Sequence, residues 1–315
     1  MPEFKSVSFI NPLFHTSVTI EDDFKIHELV SALEILNDED PTLNLNYNQS
    51  TGQISLDLMG NLQSEIIDNM LKERFGLEAF FSDPIIIHKE TPIDIGKGAC
   101  FFDRVSQVEF QIQPLPLGSG LQYESKASTD YLFPKYQKQI SKLVEMYCKQ
   151  GLYGWEITDA LITLTNGYSD SVTSDSSHYN VAVPIALMRA IKQAGMKLEE
   201  PMIKYEITTP NDRFGAVLSA LSSLGIDYDK IVNLNDYTII PGNAPLSSML
   251  DLPTTITRLT GGNGSVIKKP NGYQLKTSGE LIRKQVIGRD PRNEVLFLMD
   301  MNSSLEHLDR PPRRK

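Results

Sequence analysis

The stretch Asn37–Gly76, NDEDPTLNLNYNQSTGQISLDLMGNLQSEIIDNMLKERFG, changes its hydrophobic period twice. LNLNYN (43–48) alternates, STG (50–52) turns the chain, and QISLDLM (53–59) alternates again, which is the pattern of a hairpin. From Asn61 to Phe75 the period becomes helical, with Leu62, Ile66, Met70 and Leu71 apolar, and Gly76 stops it before a last strand at LEAFF. Upstream, residues 7–19 read as extended. Glu21–Asn37 reads as a helix with Phe24, Leu29, Leu33 and Leu36 on its apolar stripe and Glu21, Asp22 and Asp23 at its N-terminus. The order is β-α-β-β-α-β, a ferredoxin-like split unit.

The same order recurs further along. EEPMIKYEITTP (199–210) reads as a strand, followed by a helix over Asn211–Leu224, a strand pair around 226–240, a helical stretch at 245–259 and GSVIKKPNGYQL (264–275). The two units share an architecture without a sequence repeat. Between them lie a strand at Pro84–His88, strands over 97–113 and the loop QPLPLGSGLQYES (113–125). A helix over Asp130–Gln150 follows, its apolar side carrying Tyr131, Ile140, Leu143 and Tyr147. Then come a strand over Trp155–Thr165, a polar loop GYSDSVTSDSSHYN (167–180) and a helix over Val181–Ala194. The last residues read as helical pieces and a tail.

The chain has 315 residues, enough for two or three domains. Its 40% hydrophobic and 22% charged content is that of an ordinary soluble globular protein. No apolar run is long enough for a spanning helix, and MPEFKSVSFINPLF lacks the basic start and apolar core of a secretory signal. Cys100 and Cys148 fall in different elements, as expected of reduced thiols in the cytoplasm. A net charge of −10 argues against a general nucleic-acid coat, although the tail Arg310–Lys315 is basic.

No motif carries recognisable catalytic, cofactor or metal chemistry. A P-loop needs Gly-x4-Gly-Lys-Ser/Thr; Gly118-Ser-Gly120 runs on into Leu121 and Gly96-Lys97-Gly98 into Ala99. Gly118–Gly120 therefore reads as a turn. His15, His27, His88, His178 and His307 are scattered, without metal-ligand spacing. The acidic clusters Asp38-Glu39-Asp40 and Glu199-Glu200 sit at element boundaries and read as solvated caps. The long serine-rich loop 167–180 reads equally as a functional loop on a regular scaffold and as an ordinary mobile loop. The residues describe a binding or mechanical protein.

Taken together, these segments resemble a known family. Asn37–Gly76 resembles the third domain of elongation factor G and of its relatives, the tetracycline-resistance ribosomal protection proteins. HKETP (88–92) resembles the start of the fourth domain. PLPLGSGLQYES and QGLYGWEITDALI resemble the protection branch more closely than elongation factor G, and EEPMIKYEITTP resembles the start of the fifth domain. The resemblance covers roughly residues 8–300 and implies an α+β chain of three parts. Residues 1–83 would be a ferredoxin-like βαββαβ domain and 84–198 a ribosomal-protein-S5-like domain. Residues 199–315 would be a second ferredoxin-like domain with a C-terminal helical extension and tail.

It also implies a role. The chain would be the C-terminal half of a cytoplasmic translational GTPase whose N-terminal domain holds GTP and Mg, and this half itself would hold no cofactor. The implied partner is the ribosome: rRNA of both subunits and ribosomal proteins, with neither DNA nor membrane. Protection proteins push a fourth-domain tip into the decoding centre and dislodge tetracycline. That tip maps onto Ser169, Asp170, Ser171, Val172, Thr173, Ser174, Asp175, Ser176, Ser177, His178 and Tyr179. A second tip maps onto Phe101, Phe102, Asp103 and Arg104, and Lys204 and Arg213 are candidate RNA contacts.

The chain departs from the pattern in several places. Val172 and Ser176 stand where the branch has prolines, so this tip should be more mobile and more polar. The second tip is shorter than is usual in the branch. Asn61, Gln63 and Ser223-Leu224 differ from residues common in elongation factor G. These changes leave two alternatives open: a divergent elongation factor G paralogue without drug displacement, and a stand-alone ribosome-docking module.

Overall fold

A computed structural model describes residues 11–49, 51–277, 281–303 and 305–309; the basic tail noted above lies outside the described residues. Contacts group the chain into two compact units, Met1–Ile87 with Glu200–Gln274, and His88–Glu199 with Leu275–Lys315.

The first unit begins with β1 (Phe14–Ile20), α1 (Ile26–Glu39), β2 (Asn46–Asn48), β3 (Gln53–Leu58), α2 (Gln63–Met70) and β4 (Ala79–Phe81). The sheet order is β2-β3-β1-β4 with antiparallel neighbours, the split βαββαβ arrangement expected from the sequence. Leu29, Leu33 and Leu36 of α1 are buried with Leu56 and Leu58 of β3, each burial stabilising by roughly 1.5–3 kcal/mol. Phe24 does not join that stripe. It sits in the 3-10 turn Asp23–Lys25 ahead of α1 and is 95% exposed. Likewise Leu62 and Ile66 are exposed, and α2 turns Ser64 and Ile67 inward instead. The expected strand at 84–88 shortens to β5 (Ile85–Ile86), paired with β1.

The second unit opens with β6 (Lys89–Pro92), β7 (Gly96–Phe102), β8 (Ser106–Pro114), β9 (Leu121–Ser125), α3 (Pro134–Tyr147), β10 (Glu156–Ile157), β11 (Ala160–Ser169) and α4 (Ser176–Ala194). Its main sheet runs β7-β8-β11-β9, with β9 and β11 parallel and joined through α3. The single strand expected over 155–165 is two, because Asp159 (φ 49) breaks the extended backbone between them. α4 is buried along almost all of its length, from Tyr179 to Ala194. It lies directly on β7. A Cβ at Gly96 would run into the backbone of Ala190 and Ala194, and one at Gly98 into that of Ala186 and Ala190. The Gly-Lys-Gly that fails as a phosphate loop is thus a helix-packing groove.

β12 (Met196–Pro210) follows, then α5 (Phe214–Ser223), β13 (Val232–Asn233), β14 (Tyr237–Pro245), α6 (Leu252–Leu259) and β15 (Ser265–Leu275). Residues 202–210 of β12 pair with β14, β13 pairs with β14, and β15 pairs with β12. That is the second βαββαβ order, and it shares a buried core with the first. Within the second unit, Met196–Glu199 pair with β6, and the chain ends its described part with α7 (Glu294–Asp300) and a 3-10 turn Leu305–His307.

Glu199 and Glu200 are not solvated caps. Both lie inside β12 and are buried. Glu200 accepts a 2.7 Å hydrogen bond from Ser247 Oγ. Burial, reinforced by the neighbouring Asp159 carboxylate, pushes the Glu199 carboxyl up to about 7. Cys100 and Cys148 are free and buried. Among the described residues no helix is long and apolar enough to cross a membrane.

Candidate functional site

The glycine loop is a site for an anion, and the anion is internal. Gly118 and Gly120 take positive φ (83° and 67°), turning their N–H groups toward one point. Both donate, at 2.8 Å, to the two oxygens of the buried Asp159 carboxylate. The backbone groups that a phosphate would need are already satisfied.

The serine-rich segment is organised differently from its sequence reading. Residues 167–169 belong to β11, and α4 starts at Ser176, not Val181, so the loop proper is 170–175. The early start has a local cause. Asp175 accepts from Ser177 N–H at 2.8 Å, while His178 Nδ1 accepts from Asp175 N–H at 3.4 Å, a reciprocal capping box. Those bonds from Ser177 hold the exposed Asp175 carboxyl below its ordinary range. Inside the loop, Asp170 Oδ1 accepts from Val172 N–H (2.9 Å), Thr173 N–H (3.0 Å) and Thr173 Oγ1 (3.0 Å). Ser174 Oγ accepts from Asp170 N–H at 2.7 Å and donates to Val105 O at 2.6 Å. The aspartate and serine side chains thereby close the turn. The apex, Ser171 to Thr173, is exposed, with Val172 88% exposed.

Beneath the apex the support is aromatic. Tyr179 is fully buried, its ring centroid 4.6 Å from that of Tyr136, and its hydroxyl donates to Tyr168 O at 2.8 Å. Burial pushes the Tyr179 phenol up to about 12, so it stays a donor. Tyr136 OH donates to Ser174 O at 2.6 Å. Gln139 Nε2 donates to Ser176 O at 2.8 Å and to Asn180 Oδ1 at 2.9 Å.

The second predicted tip is the turn between β7 and β8, and it adjoins the first. Ser106 pairs with Ser169 in the sheet, Ser106 Oγ donates to Ser174 Oγ (3.3 Å), and the Phe102 and His178 rings lie 5.6 Å apart. Asp103 and Arg104 both adopt left-handed φ (50° and 61°), the tight turn that fits a twisted hairpin. Phe102 is buried rather than presented. The chain's own C-terminal segment lies along this hairpin. Asp103 N–H donates to His307 O (2.7 Å), Asp309 N–H to Phe101 O (2.6 Å), and His307 Nδ1 lies 2.9 Å from Asp103 Oδ1.

The structure thus brings Ser169 to Tyr179 and Phe101 to Arg104 together at one end of the sheet, with Ser169, Tyr179 and Phe102 buried there. Lys204 and Arg213 belong to the first unit: Lys204 is exposed on β12, and Arg213 precedes α5, 3.4 Å from Asp212. Sequence reasoning missed Val105, Ser106, Tyr136 and residues 305–309. No local signal marks them, because each acts through a partner distant in the chain. Asp103, Asp170 and Asp175 make this end no basic patch, and its serine–histidine contact, Ser106 Oγ to His178 Nδ1 at 3.2 Å, involves a buried serine.

Three family descriptions match in order: "Elongation Factor G, domain III" over residues 9–83, "Elongation factor G, domain IV" over 103–195 and "Elongation factor G C-terminus" over 197–281. Tetracycline resistance protein TetO of Streptococcus mutans is 30% identical over 279 residues, 87% of this chain and 44% of that protein. TetM of Staphylococcus aureus is 28% identical over 285 residues (89% and 44%) and TetP of Clostridium perfringens 28% over 302 (94% and 46%). The chain thus spans less than half the length of the curated relatives it matches. A crystal structure from Thermus thermophilus shares the fold, with a TM-score of 0.63 at 22% identity over 88% of this chain and 43% of that one.

Proposed function

From the premise that the chain belongs to the elongation factor G family along residues 9–83, 103–195 and 197–281, we propose that it is the ribosome-binding part of a tetracycline ribosomal protection factor. It docks between the subunits and presents Ser171 to Thr173 at the decoding centre, where the apex sterically displaces the drug. The observation that carries this reading is the built apex. Three exposed residues stand on a turn closed by Asp170 and Ser174 and on a buried, tilted Tyr136–Tyr179 ring pair. A hydrogen-bonded tip of this kind, with an uncharged apex flanked by the carboxylates Asp170 and Asp175, suits wedging better than phosphate binding. The similarity to TetO, TetM and TetP directs the reading to tetracycline.

GTP and magnesium belong, in this reading, to a GTPase domain outside this chain. The loop Gly118–Gly120 does not hold the nucleotide, since Asp159 fills it. The test is tetracycline tolerance of a sensitive strain expressing the full-length reading frame. Tolerance should rise, and should return to the background level when residues 171–173 are all replaced by glycine. No rise, with GTP-dependent ribosome binding intact, would replace this reading by that of an elongation factor G paralogue without a drug role.

A further inference from the structure

Within the first unit, residues of both βαββαβ parts line a surface cavity of about 390 Å³, a volume in the range of small-molecule sites. Its floor is apolar. Phe14 of β1 and Met59, just after β3, come from the first part, and Ile203 of β12 and Leu246 from the second. Phe14, Ile203 and Leu246 belong to the buried core that the two parts share, so the floor is held by packing on its far side.

Lys268 and Lys269 of β15 also line the cavity, and among the described residues no carboxylate does. Successive strand residues face opposite ways, and Lys268 is the one turned inward. It is half-buried, whereas Lys269 is exposed. One donor of the Lys268 ammonium goes to Met249 O at 2.9 Å, at the end of the 3-10 turn Leu246–Met249. The remaining donors have no acceptor and the charge no ion-pair partner among the described residues. Burial accordingly lowers the Lys268 ammonium from its ordinary value, with no carboxylate to offset the cost. An ammonium with donors to spare, set at the side of an apolar floor, matches a ligand with an apolar body and an anionic head.

We propose that this cavity binds a small amphipathic carboxylate, with its apolar body on Phe14, Met59, Ile203 and Leu246 and its head group on Lys268. Because both βαββαβ parts contribute to the floor, the occupant braces one against the other. The site is independent of the apex and of the ribosome-binding reading above.

The test is calorimetric titration of the full chain with octanoate and, in parallel, with octanol, which shares the alkyl chain and lacks the charge. Octanoate should saturate one site and bind about tenfold or more tightly than octanol. Lys268→Gln should remove that selectivity, lowering octanoate affinity about tenfold and leaving octanol within about twofold, and Lys268→Arg should retain it. Leu250→Trp, at an exposed lining position, puts an indole into the cavity and should weaken both ligands. No saturable octanoate binding overturns the proposal. Equal affinity of wild type for the two ligands overturns the anionic class, and is the result expected of a lysine that merely closes the 3-10 turn. Undiminished octanoate binding by Lys268→Gln, or by Leu250→Trp, places the ligand elsewhere and also overturns it. Thermal melting checks the fold of each variant, and the octanoate–octanol comparison in wild type needs no variant. No ribosome enters these measurements, so their failure leaves the functional reading standing.

Discussion

The loop Asp170–Asp175 and the hairpin turn Phe102–Val105 adjoin at one end of the same sheet, yet they are secured by different means. The loop is closed by its own side chains, with Asp170 and Ser174 turning inward and Val172 left 88% exposed. The hairpin buries Phe102 and is fastened by residues 307–309, which arrive from the far end of the chain. Arg189 of α4 anchors that fastening: it bonds Glu294 at 2.8 and 2.9 Å, Ala99 O at 2.8 Å and Asp309 at 2.8 Å. A self-closed turn exposes its apex side chains for use, whereas a turn that is itself a docking strip spends its edge on the chain's own C-terminus. The difference leaves the loop apex exposed and the hairpin covered by residues 307–309.

The largest way to break this comparison is Tyr179→Ala. Removing the buried ring from under the loop should destabilise the second unit by about 3–5 kcal/mol, read in urea through the chain's one tryptophan, Trp155. The amide of Asp103 should keep its hydrogen-exchange protection relative to the unit as a whole. If both tips loosen alike, the two are not separately supported.

Arg189→Ala is next. The pairs are partly exposed, so screening limits the loss to about 1–2 kcal/mol. Exchange should accelerate at Asp103 and Asp309, whose amides make the C-terminal bonds, and not at Val172 or Thr173. The reverse pattern would mean that the C-terminal segment supports the loop.

The smallest thermal effect belongs to Val172→Asp. At so exposed a position the stability change should stay within about 0.5 kcal/mol, while tetracycline tolerance of the full-length protein falls. Full tolerance with an aspartate at the apex would remove Val172 from the contact.

Much of this was legible in the sequence, and the misses have physical reasons. Both βαββαβ units follow from period changes and turn residues, which are local signals. The start of α4 did not, because SDSSHYN is as polar as a loop and its capping box uses His178 where a glutamate or glutamine is the familiar partner. The burial of Glu199 depends on packing beside Asp159, which is remote in sequence and invisible to composition. The apex residues were located by resemblance. Their supports, Ser106 and Tyr136, emerge only when distant strands and helices meet.

The bare glycines of β7 have a mechanical consequence. α4 is clamped along Ala186–Ala194 by direct contact with Gly96 and Gly98, while its first turn supports the apex. From Ala186 to Ser176 the helix runs on for roughly 15 Å at 1.5 Å per residue, and it stays packed on the way, with Tyr179 against Tyr136 and Gln139 bonded to Ser176 O. Clamp and apex are thus two ends of one embedded rod. A methyl group on Gly98 that displaced the rod would be felt at the apex, that full length away from the glycine that carries it.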